Sequence, residues 1–431
     1  MKNILNITVN DFIKKSSLGI LFFLCIYPVR FAFFPFASTR VTIGAMGILL
    51  FLINSFSYNS KKILAIKREW LSIAISLMII LLIAIFVDLV NGTKETYFFK
   101  FPLSMIAIFG ASYAVAKGVK SVYHEITFEI IARYIVITVV LQMIITILMF
   151  ISPIIKESLL KLLAENYQAE VGIDIKALQW RIIGFGSQFF AAGIVNSFAL
   201  ILLAILIKHR DSKNEKTALL KVNFILVSVV GTILSRTTLV GILLSFAVFF
   251  YKSRIFILKR STVKLIFIFA VLIVLFICFM PSSVHKKINT AARFGFEMFY
   301  NYFEKGELTT NSTNQLFEMY DVHPDNLKTL IIGDGYYKNP RDSSLYYMNT
   351  DVGYLRLIFY FGIIGSIAYF TYQITLLKTA NKITEKLYPQ FFFFIAILLL
   401  ILNLKGMTEM TSLVSLFLFC EKEPKINISE L

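Results

Sequence analysis

Along most of this chain, apolar runs alternate with short basic stretches. Many of the runs are about 20 residues long, the length at which an α-helix crosses the hydrocarbon core of a bilayer. Taken in order they predict spans over roughly 17–36, 41–57, 70–90, 99–116, 134–154 and 183–207. Two later stretches are too long for one crossing. Val222–Tyr251 is apolar apart from Ser235-Arg236-Thr237-Thr238 and would make a single helix of about 45 Å. Basic residues flank it on both sides, Lys221 before and Lys252, Arg254, Lys259 and Arg260 after. Both flanks are therefore expected on the cytoplasmic side, and the number of crossings between them must be even. The stretch predicts a hairpin of two short helices, with Arg236 near an outer apex sunk below the membrane surface. Pro389–Cys420, about 48 Å as one helix, is interrupted by Lys405, Gly406 and Glu409 and predicts a second hairpin with Lys405 near the outside. Spans at about 265–281 and 352–375 complete the set.

The fold class that follows is an all-α polytopic integral membrane protein of about 12 transmembrane helices. It forms a single membrane domain over 1–431 with both termini cytoplasmic. Residues 155–181 make a smaller outer loop, in which KESLLKLLAENY has the leucine spacing of a helix lying along the membrane surface. Residues 282–350 make one large extracytoplasmic loop. Three lysines precede the first run without a small-residue cleavage site, which predicts an uncleaved first span.

Composition agrees, at 57% hydrophobic with mean hydropathy +0.74. The net charge of +17 does not indicate nucleic acid, because the basic residues cluster between apolar runs in the positive-inside pattern. Cys25, Cys278 and Cys420 lie in or beside apolar runs and supply no disulfide framework. The histidines (His124, His209, His285, His323) lack ligand spacing, and no carboxylate cluster is present to hold a divalent cation. No metal or cofactor is expected.

Candidate chemistry gathers around Ile331–Phe370, which begins as a turn-rich polar loop and ends as an apolar helix, with Asp351 and Arg356 at the seam. Topology places Arg181, Arg236, Arg356 and Lys405 on the outer side, at or just within membrane depth. Guanidinium groups there bind phosphate bidentately, a lipid diphosphate carries its head at the same depth, and arginine offsets the charge of a departing diphosphate without metal. Plainer readings stand beside these. Arg181 and Arg356 fit side chains snorkelling to headgroups, Lys405 fits a partner for Glu409 one turn on, Asp351 fits the N-cap of the following helix, and His323 fits a solvated surface residue. Arg236, in the middle of an apolar run, is the hardest to explain that way. Arg30, beside Pro28 inside the first span, needs protein or water to face.

Four segments in order, RIIGFGSQFFAAGIVNSFAL (181–200), LSRTTLVGILL (234–244), the outer loop ending in IIGDGYY (331–337) and DVGYLRLIFYFGIIG (351–365), resemble the bacterial O-antigen/capsular polysaccharide polymerase (Wzy-type) and O-antigen ligase superfamily. The resemblance implies that outer arginines hold the diphosphate of an undecaprenyl-linked glycan. That role passes to Arg181 and Arg236 by motif and to Arg356 more loosely. Where the ligases carry a His-Asn pair, this chain has Asp351 and Val352, which favours a polymerase. Polymerases are similar in an acidic residue at this place, so the resemblance makes Asp351 the first candidate for general base, in reach only if partly buried beside the arginines; His323 is the second. Lys405 joins the candidate diphosphate-binding set. The implied activity is a metal-independent glycosyltransferase that polymerises lipid-linked repeat units on the outer face of the bacterial inner (cytoplasmic) membrane. Its partners would be an undecaprenyl-diphosphate-linked glycan donor and acceptor, membrane lipid, and a chain-length regulator and flippase. A ligase is the nearest alternative. A lipid-linked oligosaccharide flippase or other transporter is disfavoured by the dominant outer loop and the lack of an internal repeat.

Overall fold

The runs of apolar residues have no polar alternation that a sheet could use, and in a lipid solvent a helix satisfies its own backbone. A computed structural model of the chain describes residues 2–56, 69–165, 182–187, 189–251, 289–290, 292–307, 309–384 and 387–421. Among them all regular structure is helical, and only isolated bridges stand where strands would be. The first half contributes α1 (Lys2–Ile26), α2 (Thr39–Phe56), α3 (Trp70–Asn91), α4 (Tyr97–Tyr123), α5 (Phe128–Ile151) and the short α6 (Pro153–Lys161). The second contributes α7 (Phe189–Ser212), α8 (Ala218–Leu234), α9 (Thr238–Phe250), the loop helices α10 (Glu297–Lys305), α11 (Asn311–Tyr320) and α12 (Leu327–Ile331), then α13 (Gly353–Ile383), α14 (Pro389–Asn403) and α15 (Thr411–Val414) running into a 3-10 turn, Ser415–Phe419. Among the described residues six helices, α2, α3, α4, α5, α7 and α13, are long and apolar enough to cross a membrane, and α8, α9 and α14 are shorter apolar helices.

α7 is the hub, buried at every position from Asn196 to Ile207. Small residues let its neighbours approach closely, since lipid gives helices no solvent-driven reason to pack. A Cβ on Gly241 would fall 2.4 Å from Ser197 Cα, and one on Gly193 2.5 Å from Thr237 Cβ. The same device joins α2 to α4, where Gly44 and Gly47 lie against the backbone of Ala107 and Gly110. Asn196 donates to Thr238 Oγ1 at 3.4 Å and Ser197 to the Thr237 carbonyl at 3.3 Å. Such interhelical bonds contribute about 0.6–2 kcal/mol each in a membrane.

The expected hairpin at 222–251 is present. α8 runs antiparallel to α7, with Gly231 against Asn196 and Lys221 paired with Asp211. α9 runs parallel to α7, from Thr237 beside Ser197 to Val248 beside Lys208. The two arms therefore straddle α7, and Arg236 sits in the turn between them. The second hairpin is also present, with an irregular return. α14 rises from Tyr388, bonded to Glu129, to Asn403 beside Gly353. Residues 404–410 are unwound and pass inward, where Met410 N–H donates to the buried Gln373 of α13. The chain returns to Lys120, which pairs with Glu421.

Charges sort to two ends of this bundle. The lysine-rich end holds Arg210–Glu129, Lys221–Asp211, Lys382–Glu69 and Lys120–Glu421. The loop end holds Arg236–Glu297 and Arg293–Glu304. The described chain leaves the first end at Tyr251 and resumes at Asn289 at the second; the expected span at 265–281 lies outside the described residues.

The first span needs a correction. α1 ends at Ile26, not near 36, because Arg40 reaches back and donates to the carbonyls of Cys25 (2.7 Å) and Ile26 (2.9 Å), closing the helix end. Arg30 consequently lies in the connection to α2, at the loop end, where its carbonyl accepts from Ala164 N–H. No charge is stranded inside a span there. The expected surface helix at 155–181 begins as α6; residues 166–181 lie outside the described set.

Candidate functional site

α13 is a broken helix. Gly362 has φ 65° and ψ −168°, a conformation that is costly for a residue with a Cβ. The break leaves the last carbonyls of Gly353–Phe361 without helical donors, and the loop supplies them. Asp334 N–H donates to Phe359 O at 2.7 Å and Gly335 N–H to Tyr360 O at 3.2 Å. Asp334 is held in turn by Thr329 Oγ1 (2.7 Å) and the Tyr347 hydroxyl (3.3 Å). The GDG turn thus completes a helix end.

From that anchorage the loop makes a short ribbon. Asn339 N–H donates to Leu345 O and Tyr347 N–H to Tyr337 O, which brings Tyr337 and Tyr346 together on its two limbs. Arg356, one turn into α13, fits the corner between their rings, whose planes stand 78° apart. Its guanidinium carbon lies 4.5 Å from the Tyr337 centroid and 3.5 Å from that of Tyr346. Tyr97 stacks on Tyr337, and burial, with Tyr97 beside it, pushes the Tyr337 phenol well up. The Nε and Nη2 of Arg356 are shut from solvent and have no hydrogen-bond partner among the described residues. These two nitrogens lie on one edge of the guanidinium plane, the fork that accepts a carboxylate or phosphate bidentately.

The two hairpin tips meet beside α13. Lys405 Nζ donates to Thr237 Oγ1 at 3.2 Å and sits 5.9 Å from the Phe190 centroid. Gly406, next to it, packs on Phe190 and on Gly353, the first residue of α13. Arg236 pairs with Glu297 of α10 at 2.8 Å and rests over the Phe294 ring at 4.3 Å. α11 spans the group from above: the Tyr320 hydroxyl donates to Leu404 O, and Met319 Sδ accepts from Asp351 N–H at 3.4 Å.

The structure therefore brings Arg236, Lys405 and the start of α13 into one neighbourhood. Arg181 lies outside the described residues; the turn that follows it is seated at the same end, with Phe185 O accepting from the buried Gln142 at 3.0 Å. Asp351 does not cap α13. Val352 occupies the N-cap without a side-chain bond, and Thr350 Oγ1 takes the Val352 N–H at 3.3 Å. The Asp351 side chain is exposed, so the partial burial that a base there requires is not met in this arrangement. His323 is exposed too, its Nδ1 2.8 Å from Asp321 O, as a solvated residue would be. Glu409 accepts from Thr411 N–H at 2.7 Å, while Lys405 reaches to the other hairpin.

Three residues of this site are absent from the sequence reading. Tyr337 and Tyr346 carry a visible signal, since two Tyr-Tyr pairs flank the NPRDSSL turn. Glu297 carries none, because its partner lies far away in sequence. Among the described residues no group of histidine, cysteine and carboxylate side chains is arranged to hold a metal ion.

No family model matches the chain, and neither a curated protein nor a solved structure does.

Proposed function

We propose that the chain is a lipid-diphosphate-linked glycan polymerase of about twelve spans, with the lysine-rich end cytoplasmic and the loop end on the outer face of a bacterial cytoplasmic membrane. The observation that carries this reading is Arg356. An unmade bond to a buried charged donor costs about 1–3 kcal/mol or more, and contact with two rings returns only about 0.5–2 kcal/mol. A cation kept in that state at the mouth of apolar helices is what a site for an anionic head requires. Arg236 and Lys405 add positive charge at the same end. The resemblance at 234–244 and 351–365 supplies the identity of the anion, an undecaprenyl-type diphosphate carrying a glycan. In this reading Arg356 grips the diphosphate, Arg236 takes up charge as the diphosphate departs, and the loop 289–350 covers the sugars. Asp351 serves as base only if loop closure buries it.

The test is a gel of surface glycan and lipid-linked intermediates from cells lacking the gene, complemented with wild type, Arg356→Ala, Arg356→Lys or Arg236→Ala. Wild type is expected to restore a ladder and Arg356→Ala to leave single repeat units outside. Arg356→Lys, which keeps charge but loses the fork, should fall by about ten-fold or more, the worth of a charge-assisted hydrogen bond. Accumulated unattached polymer would make the protein a ligase, and units trapped on the inner leaflet would make it a flippase.

A further inference from the structure

At the lysine-rich end, the last turns of α13 face the start of α3 across an open groove of about 470 Å³. The α13 wall is Thr375, Lys378, Thr379 and Lys382, a spacing of three and four residues that sets all four on one face of the helix. Glu69 and Ser72 form the wall on the α3 side. Glu69 pairs with Lys382 at 3.1 Å, and the Ser72 hydroxyl donates to Glu69 O at 2.7 Å. Three side chains remain unmatched. Among the described residues, the Lys378 ammonium and the hydroxyls of Thr375 and Thr379 have no hydrogen-bond or ion-pair partner, although Thr379 is only 5% exposed. A hydroxyl on a helix commonly bonds back to the carbonyl one turn earlier, as Ser366 and Thr384 do in this same stretch. Thr375 and Thr379 keep their donors for the groove.

Two ammonium groups against one carboxylate leave the groove positive, and a lysine beside hydroxyl donors is the recognition chemistry of a phosphate ester. The flank of the groove decides between a phosphate in solution and one carried by lipid. Leu71 and Ile75, 60% and 50% exposed, stand beside Ser72 on the surface that a spanning helix turns to acyl chains. We propose that this groove binds the headgroup of an anionic phospholipid, such as phosphatidylglycerol, from the leaflet at the lysine-rich end. Lys378 takes the phosphate, Thr375 and Thr379 donate to its oxygens, and the acyl chains run along Leu71 and Ile75. A zwitterionic headgroup is disfavoured because it brings a cation of its own toward Lys378 and Lys382. The bound lipid ties α3 to α13. At the loop end of α3, Asn91 donates to Gly333 O at 3.2 Å, and Gly333 lies against Gly362 at the break, so the lipid strengthens the helix pair that carries the loop's anchorage. The site is separate from Arg356 and stands whichever reaction the loop end performs.

The experiment places the full chain in nanodiscs of phosphatidylcholine alone or mixed with phosphatidylglycerol. It reads the melting temperature, and by native mass spectrometry the lipid that stays bound on release. Phosphatidylglycerol is expected to raise the melting temperature of the wild type and to be retained in preference to phosphatidylcholine. Lys378→Gln should lower that preference by about five-fold, the effect of one lysine beside an anionic headgroup, and Thr379→Val, which removes a donor at constant shape, should lower it too. Because the two lipids compete in one sample, their retained ratio reads preference even where a variant melts lower. Lys213→Gln removes an exposed charge at the same end but outside the groove and should change neither reading. Wild-type preference in both groove variants, or an equal loss in Lys213→Gln, would overturn the site and leave only an attraction of bulk charge. If millimolar inorganic phosphate reproduces the melting shift in phosphatidylcholine alone, the ligand is a soluble phosphate and the lipid assignment falls.

Discussion

Arg356 and Arg236 stand at the same end of the molecule in opposite electrostatic states. Arg236 has a carboxylate at 2.8 Å, whereas Arg356 has two tyrosine rings against its guanidinium, and its buried Nε and Nη2 have no hydrogen-bond partner among the described residues. The difference traces to what the loop brings down on each, a glutamate from α10 in one case and a tyrosine corner in the other. The corner depends on Tyr347, whose hydroxyl donates to Asp334. Burial first, and the Asp334 charge after it, push this phenol up to about 12. A phenol raised above its unfolded value near 10 stabilises the folded loop fully below pH 10, and that contribution is lost as pH rises toward 12. Tyrosinate absorbance should therefore show a late-titrating component absent from Tyr347→Phe, and thermal stability between pH 10 and 12 should fall less steeply in the variant. Identical curves would sink the assignment. At this scale the sequence is partly legible. A charge amid apolar residues announces itself, as Arg236 does, because burial makes it expensive. Glu297 sits on an ordinary amphipathic loop helix, and only folding gives it meaning.

Both helical hairpins were legible as elements, because charge parity at their flanks required an even number of crossings and length forbade a single helix. The break in α13 was not. GIIG reads as a continuation of an apolar helix, and a positive φ at Gly362 leaves no trace in hydropathy. Space at this position is as restrictive as torsion: a Cβ there would fall 2.1 Å from the Ile331 carbonyl carbon, and one on Gly333 2.3 Å from Tyr360 O. Gly362→Ala should accordingly lower stability by more than the about 1–3 kcal/mol of backbone strain alone, read as the melting temperature in detergent. Gly19→Ala, inside α1 with nothing within 4 Å, is the contrasting case and should be neutral or gain about 0.5–1 kcal/mol. Equal effects of the two would mean that the break is not where the structure has it.

For the molecule as a whole, the pairing of Lys15 with Tyr123, Lys382 with Glu69 and Arg210 with Glu129 at one end, and of Arg236 with Glu297 at the other, fixes which termini of the helices lie together. Span order was readable from the sequence because each apolar run is nearly autonomous in lipid. The end of α1 was misplaced because Arg40, fourteen or more residues beyond the carbonyls it closes, acts through a contact that hydropathy does not record. In intact cells, with Cys278→Ser to remove background beside the buried Cys25 and Cys420, a membrane-impermeant maleimide should label Ser343→Cys from outside. Lys213→Cys should react only after the cells are opened. Both residues are exposed, so the reverse pattern would invert the molecule.

The broken α13 also divides the long loop before it into two parts tied to the bundle in different ways. Residues 327–350 are spliced by main-chain hydrogen bonds into a transmembrane helix, so Arg356 and its tyrosine corner move as part of the bundle. α10 meets the Arg236 turn through side chains, with Glu297 paired to Arg236 and Phe294 under its guanidinium. The Arg356 corner is thus bolted to the frame, while α10 hangs on replaceable fastenings. A chain built this way can have α10 and its surroundings redrawn without disturbing the tyrosine corner that holds Arg356.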